Sequence, residues 1–193
     1  MNIATSSIEE LRRALGGGHL SLRELLDDSI RRIEDLDGRF RAVIALDHRA
    51  TELADDFDSV AGHTDQSVPL RGIPVLVKDN LETESRSTQD PPTTAGSLAL
   101  ANYHARTDAT VVRKLRDAGA IVMGKSNLSE WANFRSSHSS SGWSSVGLQT
   151  GNAHNPIRTP GGSSSGSAVA VALGYCAGAI GTETDSSVVG PSA

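Results

Sequence analysis

The sequence predicts an α/β fold, and three observations carry that reading. Residues 73–77, Ile-Pro-Val-Leu-Val, form a short β-branched run with the character of a buried strand. A helical pattern follows, opening at Thr107-Asp108 and closing at Gly119, and a second apolar run fills residues 120–124. Strand, helix and strand in that order make a crossover unit, so the sheet is expected to be largely parallel.

The elements follow in chain order. Ser7-Ile-Glu-Glu10 is a capping box opening a helix with Ile8, Leu11 and Leu15 on one face, and Gly16-Gly17-Gly18 ends it. Ser21-Leu-Arg-Glu24 is a second capping box; behind it Leu22, Leu25, Leu26, Ile30 and Ile33 recur at helical spacing. A weaker helical segment covers residues 47–57, so residues 1–60 read as a helical lead-in packed on the α/β core. Residues 61–68 read as a polar loop. Pro74 marks the start or edge of the first strand, and Lys78 follows that strand directly.

Residues 81–106 are polar and rich in turns. Thr107-Asp108 is expected to cap the next helix, with Val111, Val112 and Leu115 facing inward and Gly119 as its C-terminal glycine. Residues 127–134 read as a loop entering a short helix, and residues 136–145 as a serine-rich loop. The end of the chain holds two serine-rich loops around small apolar residues. Residues 167–174 suit a helix lying close on a sheet, and residues 176–182 suit the next strand. Ligands of α/β sheets bind at the carboxyl ends of strands, where Lys78 and Ser187 are both expected.

Composition narrows the class. The 193 residues are 37% hydrophobic and 21% charged, as in a globular chain, and aromatics are only 4%, so Leu, Val, Ile and Ala must fill the core. A net charge of −5 with scattered Lys and Arg argues against nucleic-acid or anionic-membrane surfaces. The single cysteine, Cys176, lies in an apolar run and reads as a buried small residue. No signal-peptide pattern or membrane-length apolar run is present, and a cytoplasmic protein is expected. The six histidines, at 19, 48, 63, 104, 138 and 154, lack metal-ligand spacing, so neither metal nor cofactor is implied.

Several motifs compete for the serine loops. A glycine-serine stretch alone is ordinarily a linker. Gly162-Ser-Ser-Ser-Gly166 fits the nucleophile elbow G-x-S-x-G with Ser164 at its centre, but that chemistry needs a histidine after the serine, and the last one is His154. The loop also lacks the Gly-Lys-Ser/Thr ending of a phosphate-binding loop. A serine nucleophile can instead use a lysine whose burial keeps the amine neutral, together with backbone N–H groups aimed at the oxyanion. Lysine at a strand end and serine in a tight turn are both present.

Four blocks then carry a specific resemblance: Arg71-Gly-Ile-Pro-Val-Leu-Val-Lys-Asp-Asn80; residues 108–135, containing Gly-Lys-Ser-Asn-Leu-Ser-Glu-Trp-Ala-Asn-Phe-Arg; Gly161-Gly-Ser-Ser-Ser-Gly-Ser-Ala168; and Gly181-Thr-Glu-Thr-Asp-Ser-Ser187. Together they resemble the amidase signature family, serine hydrolases of C–N bonds, and within it the amidase and peptide-amidase branch. The resemblance implies an α/β/α sandwich around a mixed sheet, of which residues 61–193 are the N-terminal part. It implies Lys78 as general base, Ser163 as bridging serine in a cis peptide linkage, and Ser187 as acylated nucleophile. Thr184, Asp185 and Ser186 supply oxyanion-hole amides, and Asn127 is a weaker candidate for substrate contact. The expected partner is a small amide, with a separately encoded C-terminal half or a homo-oligomer as further expectations. The alternative is a catalytically inactive fragment. One position departs from the family: Ser186 stands where glycine usually precedes the nucleophile.

Overall fold

The computed structural model describes residues 2–59 and 68–193, and the expected polar loop, with His63, lies outside the described residues but for its last position. Helices α1 (Ile8–Gly16) and α2 (Leu22–Phe40) each start on the predicted capping box. Ser7 and Ser21 accept from the backbone N–H groups of Glu10 and Glu24, whose carboxylates return to the capping residues' own N–H groups. A strand that the helical reading of residues 1–60 did not announce, β1 (Val43–Leu46), comes next and leads into α3 (Arg49–Ser59). Then come β2 (Pro74–Lys78), α4 (Thr110–Asp117), β3 (Ile121–Ser126), the small hairpin of β4 (Trp143–Ser144) and β5 (Leu148–Gln149), α5 (Ser165–Ala172) and β6 (Ala179–Ile180).

The main sheet has the order β1-β3-β2-β6. β2 runs parallel to β3 and to β6, whereas β1 is antiparallel to β3, so the sheet is mixed. Side chains alternate across it. Leu76, Ile121 and Met123 face α2, α3 and α5 in one buried cluster, and Val75, Val77 and Val122 face α1 and α4 in another. The result is the α/β/α sandwich. Lys78, two residues after Leu76, shares the face on which α5 lies.

Several local expectations are corrected. Asp108 does not cap α4, whose N-cap is Ala109 without a side-chain hydrogen bond. The Asp108 carboxylate instead accepts from the Glu84 N–H at 2.7 Å, well before it in the chain, and from the Arg116 guanidinium in the last turn of α4 at 3.0 Å. Val111 points outward at 37% exposure, leaving Val112 as the fully buried contact. The last predicted strand shrinks to two residues. The short helix expected in residues 127–134 is a 3-10 turn broken by left-handed conformations at Trp131 (φ 50°) and Ala132 (φ 54°).

Candidate active site

The site forms where the end of β2 meets the approach to α5 and the loop after β6. β2 is central and buried throughout, and this carries Lys78 into the interior at 0% exposure. α5 lies close enough to meet it because its first turn is made of small residues. A Cβ on Gly166 would sit 2.3 Å from the Ala42 carbonyl oxygen and 2.5 Å from the Asn127 nitrogen. Ahead of α5, the Gly162–Ser163 peptide is cis.

These elements surround one amine. Lys78 Nζ lies 2.6 Å from Ser163 Oγ, 3.0 Å from Ser164 Oγ, 2.9 Å from Thr182 Oγ1 and 3.2 Å from the Thr182 carbonyl. Among the described residues no carboxylate forms an ion pair with it. Burial lowers its pKa from the ordinary 10.5 to about 8, because an ammonium loses more on leaving water than an amine does. Roughly a tenth of the amine is then neutral at pH 7, a share that grows as pH rises toward 8, and the neutral form is what a lysine base requires.

The two adjacent serines differ in what remains free. Ser164 donates its hydroxyl to the Thr182 carbonyl at 3.1 Å and accepts from the Thr182 N–H at 3.2 Å as well as from Lys78. Its hydrogen-bonding capacity is consumed. The Ser163 hydroxyl, 2% exposed, has Lys78 as its partner, and Ser163 lines an open cleft of about 350 Å³ together with Ser187, Thr184 and Asp185. Ser187 is half-buried, and its carbonyl accepts from the Ser164 N–H at 2.9 Å. No hydrogen bond joins the Ser163 and Ser187 hydroxyls among the described residues.

The turn ahead of Ser187 leaves its amides open. The backbone N–H groups of Thr184, Asp185, Ser186 and Ser187 make no protein hydrogen bond among the described residues, whereas those of Val188 and Val189 are taken by the Glu183 carboxylate at 2.6 and 2.7 Å. The same contacts lower the Glu183 pKa, with the Val189 N–H contributing most. Ser186 sits in the left-handed region at φ 58°, at the position singled out for its missing glycine.

Asn127, expected as a weaker candidate for substrate contact, does not line the cleft. It is wholly buried; its amide NH₂ reaches the Arg41 and Leu148 carbonyls and Thr150 Oγ1 at 3.0 to 3.1 Å, and its oxygen accepts from Leu128 N–H and Ser144 Oγ. Every polar atom is spent on holding the end of β3 to the hairpin and to the C-terminus of α2.

Thr182, Asn80, Ser164 and Glu183 escaped the sequence reading as site residues. Asn80 donates to Thr182 Oγ1 at 2.9 Å. Thr182 and Asn80 stand within recognised blocks, and that was their available signal. Away from the site, oxygens and a nitrogen of Asp47, His48 and Asp90 converge within 4.8 Å, but the Arg49 guanidinium already occupies both carboxylates, at 2.7 and 3.3 Å.

Comparisons with known proteins place the chain in a family. The sequence profile of the family described as Amidase matches residues 24–193. The structure resembles that of the peptide amidase of Stenotrophomonas maltophilia, with a TM-score of 0.90 and 45% identity over 99% of this chain and 39% of that one. The chain is 38% identical to a probable amidase of Arabidopsis thaliana over 98% of its own length and 37% of that protein. One component of the glutamyl-tRNA(Gln) amidotransferase of Bacillus pumilus is also 38% identical, over 99% of this chain and 38% of that protein. The chain thus spans less than two-fifths of the length of these relatives. Within that span, profile, sequence and fold agree, and the chain belongs to the amidase family.

Proposed function

We propose that this chain carries the nucleophile-bearing part of a serine-type amidase, which hydrolyses a carboxamide C–N bond through an acyl-enzyme. The observation that carries the reading is the buried Lys78 amine 2.6 Å from a serine hydroxyl, with no ion-paired carboxylate among the described residues. Neutral Lys78 takes the Ser163 proton as Ser163 takes that of Ser187, and Ser187 Oγ attacks the amide carbonyl. The developing oxyanion is met by the unengaged N–H groups of residues 184–187. The proton returns along the same path to the leaving amine, and water then cleaves the ester. Closing the relay requires the Ser187 hydroxyl to turn toward Ser163 within the cleft they share. One relative is named a peptide amidase and another a probable amidase, so amides, peptides among them, are the substrates this reading proposes.

In the intact protein, Lys78→Ala and Ser187→Ala are each expected to abolish release of ammonia from amides, with the fold retained by circular dichroism. Normal turnover by Ser187→Ala would overturn the assignment.

A further inference from the structure

Next to the catalytic cleft lies a second cavity, of about 350 Å³, that the reaction above leaves unused. Leu128 (0% exposed) and Thr93 (5%) form its floor, and Leu100, Tyr103 and Trp131 its walls. The Tyr103 and Trp131 side chains are large apolar surfaces left 43% and 45% exposed. Trp131 is held there at a conformational cost. Its φ of 50° lies in the left-handed region that a bulky residue avoids, and its N–H is pinned to the Ala95 carbonyl at 3.0 Å.

The cavity adjoins the cleft. Ala132 lines both. Asn80 lines the cavity and donates to Thr182, which lines the cleft and touches Lys78. The volume lies at the small end of ligand pockets, roughly 300–1,000 Å³, and suits one side chain rather than a whole ligand. Glu82 stands at the rim with its carboxylate accepting from the Tyr103 hydroxyl at 2.7 Å, a charge that repels acidic groups.

The geometry points to a side-chain subsite: the cavity seats an aromatic side chain carried by the amide substrate, stacked between Tyr103 and Trp131, while the scissile amide lies against Ser187. This rests on the amidase reading above and adds selectivity for aromatic over acidic or absent side chains.

Two measurements on the intact protein test it. The first compares kcat/KM for N-acetyl-phenylalaninamide, N-acetyl-glycinamide and N-acetyl-aspartic acid α-amide. The aromatic amide is expected to lead by roughly tenfold or more, the span that apolar pockets give, with the acidic one slowest. Trp131→Ala and Tyr103→Ala, both at exposed positions, should each shrink the aromatic-to-glycine ratio toward one; an unchanged ratio overturns the subsite. The second titrates N-acetyl-phenylalaninamide into the Ser187→Ala protein, followed by tryptophan fluorescence. A saturable change that Trp131→Ala removes is expected, and its absence overturns the subsite. So does a Trp131 already shielded from acrylamide without ligand, since the protein's own chain would then fill the cavity. Failure of the amidase reading has a different signature: no amide is hydrolysed at all, and the binding measurement still decides on the cavity.

Discussion

Lys78 shows the conflict between stability and function at a single residue. The unfolded chain holds its proton up to about pH 10.5, the folded chain only to about 8, so between these values the unfolded state binds more protons and stability rises with pH. Below about 8 the burial penalty is fully present. Lys78→Met, similar in length and without charge, should therefore raise the melting temperature at pH 7 while eliminating turnover. An unchanged or lower melting temperature would show that the contacts to Ser163, Ser164 and Thr182 outweigh desolvation. By the same shift, if the proposed relay operates, kcat/KM of the intact protein should climb as pH rises through about 8, because that relay uses the neutral amine. Ser186 is the second such residue. A non-glycine residue in the left-handed region costs about 1–2 kcal/mol, part of which glycine gives back as unfolded-state entropy. Ser186→Gly should gain up to about 1 kcal/mol in urea unfolding, and it retains the backbone N–H that the proposed oxyanion role needs.

At the scale of elements, local signals were legible in the sequence and non-local ones were not. Both capping boxes start helices where the sequence places them, because donor and acceptor lie three residues apart. Gly119, at φ 85°, follows α4 for an equally local reason. Asp108 looks like a cap by the same rule, yet Glu84 and Arg116 claim it, and the first of these lies well before it in the chain. β1 escaped notice because four residues after a long helix acquire strand character only by pairing with β3. Asn127 was misplaced for the same reason: its partners come from residues 41, 144, 148 and 150. Gly166 is where the elements that build the site touch. Its N–H donates to the Asn127 carbonyl at 3.0 Å, and no space exists for a side chain. Gly166→Ala must push α5 off the sheet, at a cost of about 1–3 kcal/mol or more as in other overpacked cores. The loop carrying Ser163 moves with α5, so activity should fall further than stability. A variant that is destabilised but fully active would separate the helix from the relay.

For the whole molecule, the sheet order explains why the site lies at one side of the structure. β2, which bears Lys78, is flanked by β3 along its length but by β6 through two residues, Leu76 to Ala179 and Val77 to Ile180. The outer edge of β6 pairs with no strand among the described residues, and Val171, which lines one groove with Ala179 of β6, leaves 40% of its surface exposed. An unpaired edge beside exposed apolar groups invites a further strand or self-association. Where these 193 residues stand alone, the amides of β6 should exchange with solvent within the fast regime of fraying segments, and the chain should bind a hydrophobic dye. Where a complementary portion is supplied, exchange at Ala179 and Ile180 should slow at least roughly tenfold, corresponding to about 1.4 kcal/mol of local protection. Dye binding should fall in parallel. Because β6 delivers Thr182 to Lys78, that protection should track the appearance of amidase activity along one titration curve. Activity without protection would place the completing surface elsewhere. Full protection in the isolated chain would mean that β6, despite its two-residue ladder, is already held as firmly as the strand that carries the lysine.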